Sequence, residues 1–200
     1  MTFTVKGINI KIGFTFFAVL TTLLCFNINP AVQISVISAV LHESGHLFWL
    51  LISGDKPQKI EFGLFGLSVV RSNDMKLNYK NEMISAFFGP LVNIVIAFVC
   101  FIFYIFLKSD LLVTVISVNI FLAIFNLMPV FGLDGGRILE FSLLNKMSPD
   151  KCEKIIRIVS TVIILPLMSV GFFILIKSGY NFSLLLLSCY LSFLLYMRIK

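Results

Sequence analysis

Charge is scarce in this 200-residue chain: Asp, Glu, Lys and Arg make up 13% of it, while 58% of positions are hydrophobic. An ordinary soluble domain is about a quarter charged. An apolar excess of this size overfills one soluble core, and it comes in long runs, so the expected fold class is an all-α polytopic membrane protein. Cysteine is sparse too. Cys25, Cys100, Cys152 and Cys189 have no paired spacing, which excludes a disulfide-stapled secreted module and leaves them as small core residues. Histidine is scarcer still, with His42 and His46 alone, too few for the iron-dependent membrane oxygenases. Polar gaps reach only about 30 residues, too short for an added soluble domain of typical size. A single membrane domain over residues 1–200 is therefore expected.

What the chain does have is six apolar stretches, at roughly 12–28, 31–53, 83–107, 111–131, 155–176 and 180–197, each long enough to cross a bilayer. The first follows Lys6 and Lys11 but lacks a small-x-small cleavage site, so it reads as a retained span. The formal charge of +6 encodes orientation. Of 16 cations, only Lys108 and Lys177 fall in the alternate loops, and the positive-inside rule then places both termini and the two long loops in the cytoplasm. A basic nucleic-acid surface is unnecessary.

The first long loop holds Lys59-Ile-Glu-Phe-Gly-Leu-Phe-Gly-Leu-Ser-Val-Val-Arg71, apolar and too short to span. Two short strands turning at Gly63 and Gly66 would form a membrane-associated β-hairpin whose edge could pair with another extended chain. An ordinary interfacial loop is the alternative.

Span two contains His42-Glu43-Ser44-Gly45-His46. Residues i and i+4 share a helix face, so both imidazoles can bind one Zn²⁺, and Glu43 stands where a general base would act on a water the metal activates. Two histidines and five glutamates would form this pattern by chance about once in four thousand chains of this length. Three ionisable groups in an apolar helix would also each cost several kcal/mol unless paired, solvated or metal-bound, so a purely structural role is disfavoured.

A catalytic Zn²⁺ needs a third protein ligand and an open position. With no further histidine the donor is Asp or Glu, and Cys is chemically competent too. Most acidic residues lie in loops or at span ends, where a solvated charge is the ordinary reading; Glu82 is one of these and Glu140 is ambiguous. Asp134 stands out. It follows span four in a run where Pro129, Gly132, Gly135 and Gly136 interrupt an apolar helix, and such a break at membrane depth survives only in protein or beside a wet cavity. The alternative is a helix end with Asp134 simply starting the next segment. Spans two and four run in the same direction, so their polar groups can meet at similar depth, with water entering from the cytoplasmic side.

These residues resemble the site-2 protease family of intramembrane zinc metalloproteases, whose core pairs H-E-x-x-H with a later N-x-x-P-x(4)-D-G. Here those are His42 to His46 and Asn126, Pro129, Asp134 and Gly135; G-P-x-x-N appears between them as Gly89 to Asn93, and Phe65-Gly66 resembles the family's Phe-Gly hairpin. The resemblance implies one Zn²⁺ per chain held by His42, His46 and Asp134, with Glu43 catalytic. It also implies substrate positioning by Asn126, Pro129, Phe65, Gly66 and Asn93, and a catalytic core over about 31–137. The six-span layout is most similar to the sporulation-type branch, that of stage IV sporulation protein FB, but without its regulatory C-terminal domain. Expected substrates are membrane-bound or membrane-associated proteins, such as transcription-factor precursors, in a bacterial cell membrane. Two other classes compete: a zinc transporter, which prefers transient sites along a path, and a catalytically silent zinc-holding scaffold.

Overall fold

In the computed structural model the described residues are 30–53 and 78–199, together with the backbone of four short strands at 2–5, 8–12, 59–63 and 66–70. The expected first span lies outside them. Among the described residues there are six helices: α1 (Pro30–Ile52), α2 (Tyr79–Leu107), α3 (Asp110–Asn126), α4 (Asp134–Leu144), α5 (Pro149–Ser178) and α6 (Ser183–Ile199). Of these, α1, α2 and α5 are long and apolar enough to cross a membrane, and α3 and α6 are shorter apolar helices. Large side chains such as Phe106 and Phe173 stay exposed on the outer faces, the pattern of a membrane protein whose surface meets lipid.

The strands β1 (Thr2–Val5), β2 (Ile8–Ile12), β3 (Lys59–Gly63) and β4 (Gly66–Val70) form one sheet in that order. Strands β3 and β4 pair antiparallel from Lys59↔Val70 to Gly63↔Gly66. In place of an isolated hairpin there is a four-stranded sheet, because β2 pairs parallel to β3 from Asn9↔Lys59 to Ile12↔Phe62. The alternation Ile8-Asn9-Ile10-Lys11-Ile12 is a strand signal. Strands β1 and β4 are the two edges.

Helix α1 packs against α2 and α3, and α2 also packs against α4. The contact face of α2 is a stripe of small and polar residues at helical spacing, Glu82, Ser85, Ala86, Gly89, Asn93 and Ala97, all buried. Small side chains let backbones approach closely, which is how helices associate where no hydrophobic driving force separates them from lipid. Glu82 departs from its expected solvated role. It is 4% exposed and lies 3.7 Å from Arg137 on α4, because an inward-facing carboxylate at this depth needs a cation.

The apolar run expected to continue to residue 131 leaves helical geometry after Asn126. Residues 127–133 form a turn, and Gly132 takes a φ of 94°, which a Cβ would strain. This turn rests on α5 and α6: Val130 and Leu133 share a core with Ile164, Leu191 and Leu195, and the Phe131 N–H donates to Ser160 Oγ at 2.9 Å. Arg198 lies 4.5 Å over the Phe131 ring and makes a bidentate pair with Glu140 at 2.6 and 3.2 Å. Gly132→Ala is expected to destabilise the chain by about 1–2 kcal/mol from the left-handed backbone alone. Its new Cβ would also stand 2.9 Å from Leu194 Cδ1. A denaturant midpoint in detergent equal to that of the unaltered protein would show that the turn relaxes without cost.

Candidate metal centre

On α1 the four-residue spacing puts His42 and His46 on one buried face, with ring centroids 4.9 Å apart at 83°. Asp134 is the first residue of α4, where the helix dipole favours an anion. The two readings of Asp134 therefore coincide, since starting the next helix is what aims its carboxylate. Gly135 and Gly136 bring that helix start against the preceding turn: a Cβ on either would collide with backbone at Leu127 or Val130.

His42, His46 and Asp134 converge, and all three are buried. His42 Nε2 lies 2.9 Å from Asp134 Oδ2, His46 Nε2 lies 3.3 Å from the same oxygen, and the two Nε2 atoms are 3.2 Å apart. A tetrahedron with arms of about 2.0 Å, the usual zinc–nitrogen length, has edges of about 3.3 Å. Three lone-pair donors at that spacing, out of water, fit a metal cation between them. Gly89 leaves room for one. A Cβ there would meet His46 Nε2 and stand 2.7 Å from His42 Nε2, so the missing side chain preserves the space beside both donor nitrogens.

Each imidazole is also held from behind. His46 Nδ1 lies 2.7 Å from the Ser85 carbonyl, which can only accept, so Nδ1 carries the proton and Nε2 is free to ligate. The Asn93 carboxamide nitrogen lies 3.2 Å from His42 Nδ1. Glu43 is half-buried, within electrostatic range of His42, His46, Asp134 and Arg137, and none of the hydrogen bonds found among the described residues occupies its carboxylate.

The residues expected to position substrate separate. Asn93 sits behind a ligand, on the side away from Nε2. Asn126 ends α3 and donates to Leu122 O at 3.0 Å, within its own helix. Pro129 is half-buried in the 127–133 turn. Gly66 begins β4, and Phe65 lies outside the described residues. Ser85 was absent from the expected site, and Gly89 entered only as the first residue of the G-P-x-x-N motif, without a role. The further signal was the small-residue period of α2, legible only once α2 is known to face α1.

The model of peptidase family M50 matches residues 108–167, which include Asp134 but not the α1 motif. A zinc metalloprotease of Methanocaldococcus jannaschii is 33% identical over 165 residues, covering 76% of this chain and 48% of that protein. A solved site-2 protease from the same organism superposes with a TM-score of 0.67 at 28% identity, covering 100% of this chain and 95% of that one. The chain is thus similar to peptidase family M50 in one segment, to a zinc metalloprotease over most of its length, and to a site-2 protease in fold. The chain spans about half the length of the curated relative it matches. The His42, His46 and Asp134 cluster offers two nitrogens and one carboxylate, a donor set that leaves a fourth position of a tetrahedral metal open.

Proposed function

We propose that this chain is an intramembrane zinc metalloendopeptidase that cleaves membrane-embedded or membrane-associated proteins. The observation that carries the reading is the convergence of three buried donors on one point, with Glu43 one residue from the first of them. His42, His46 and Asp134 would hold one zinc ion. When bound, zinc acidifies water and polarises a carbonyl oxygen. Glu43 accepts the proton of the attacking water and returns it to the leaving amide nitrogen. Asn126 helps position the scissile segment. A substrate helix hides its amides in its own hydrogen bonds and must unwind locally before attack. The edge strand β4 offers a backbone partner that would hold the unwound segment extended.

The setting belongs to the same proposal: six spans, both termini cytoplasmic, a bacterial cell membrane, water reaching the centre from the cytoplasmic side, and a transcription-factor precursor as substrate. A sporulation role like that of stage IV sporulation protein FB extends the reading further. A transporter needs successive sites, whereas the His/Asp group is a single cluster among the described residues. Purified protein is expected to carry one zinc per chain and to cleave a co-expressed substrate. Asp134→Ala should weaken zinc binding by more than the roughly 10–100-fold that loss of an outer partner costs, and cleavage should fall with it. Elemental analysis and a cleavage assay check both. Stoichiometric zinc without turnover of any candidate substrate would favour the silent scaffold.

A further inference from the structure

Asn93 is 0% exposed on an otherwise apolar helix, and a carboxamide out of water costs free energy unless its polar atoms are paired. Among the described residues its hydrogen-bond contact is with His42 Nδ1 at 3.2 Å, through Nδ2, while its Oδ1 is buried with no partner there. That orientation suits an imidazole whose Nδ1 accepts and whose Nε2 carries the proton. The other face of His42 demands the reverse, because Nε2 points at Asp134 Oδ2 and His46 Nε2 and must offer a lone pair there if a metal is to bind. A neutral imidazole has one proton for two nitrogens, so a ligating Nε2 puts the proton on Nδ1. The His42 ring then needs an acceptor behind it. A half-turn of the carboxamide supplies one, exchanging Nδ2 for Oδ1 against the ring.

We propose that Asn93 is a positioning residue for the metal centre, accepting the Nδ1–H of His42 through Oδ1 and so holding this ring in its metal-binding tautomer, as the Ser85 carbonyl does for His46. The inference rests on the zinc-protease reading and replaces substrate positioning as the task of this side chain. One helix then sets both ligand tautomers, since Ser85 and Asn93 both lie on the buried stripe of α2, with Gly89 between them leaving space at the Nε2 side. The device works through the outer partner of a ligand, where loss typically weakens metal binding about 10–100-fold.

The test compares zinc affinity, by competition with a chromophoric chelator, for the unaltered full chain, Asn93→Leu and Asn93→Asp in detergent. Leu keeps the branched shape without an acceptor, and an ionised Asp accepts but cannot donate. The expected result is zinc binding about 10–100-fold weaker for Asn93→Leu and preserved or tightened binding for Asn93→Asp. A Leu variant that binds like the unaltered chain, or an Asp variant as weak as the Leu variant, overturns the proposal. Imidazole ¹⁵N and ¹H spectra of the zinc-loaded unaltered chain give a second readout that needs no variant to fold. A His42 Nδ1–H shifted downfield as a hydrogen-bonded proton supports the assignment, and one at the position of an unbonded N–H overturns it. Failure of the unaltered chain to bind zinc at all overturns the zinc-protease reading and this inference together, whereas zinc binding indifferent to Asn93 overturns this inference alone.

Discussion

Glu43→Gln is expected to keep zinc at one per chain while cleavage falls by about 10²–10⁴-fold, the span over which a positioned acid–base group accelerates proton transfer. The substitution conserves volume at a half-buried position, and no hydrogen bond found among the described residues depends on the carboxylate, so removing its charge orphans no partner there. The three donors belong to His42, His46 and Asp134, none of which leans on Glu43 for its orientation: Ser85 and Asn93 hold the rings. Zinc content and turnover should therefore separate. Proteolysis persisting in the Gln variant would remove the base assignment. Zinc lost with proteolysis would mean that Glu43 supports the ligands.

Gly89→Ala should have an effect of similar size by the opposite route, removing zinc while leaving the fold intact. Within a helix Ala is favoured over Gly by about 1 kcal/mol, so local stability should rise if anything. The added methyl, however, would meet His46 Nε2 and lie 2.7 Å from His42 Nε2, in the space beside both donors. Either the rings turn away or α2 withdraws from α1, and a displacement of about 1 Å at a reacting centre costs about 100-fold in rate. Far-ultraviolet dichroism and thermal unfolding should match the unaltered chain while elemental analysis finds little zinc. A variant with full zinc and full activity would show that the two helices part easily, and the close approach would lose its functional meaning.

How much of this was legible beforehand depended on how local the determinant is. His42, Glu43 and His46 lie within five residues of one helix, so their shared face follows from the helical period alone. The break before Asp134 was legible for a related reason, since Pro129 and Gly132 cannot both sit comfortably inside a continuous apolar helix. Glu82 was misjudged because its place near a helix start says nothing about which side faces inward; Arg137, 55 positions later, decides that. The sheet was read two strands short. Its β2–β3 pairing joins segments about 50 residues apart, a contact that strand pattern alone does not specify.

By itself, the chain's order of residues determined the membrane class, the broken helix and the pair of histidines beside a glutamate, because composition, turn chemistry and helical period act over a few residues at a time. Only the tertiary structure decided that Asp134 closes on both rings, that α2 holds those rings from behind, and that Gly89 keeps the space before them. Those outcomes depend on which helix faces meet and how closely their backbones approach, which small side chains permit but do not dictate.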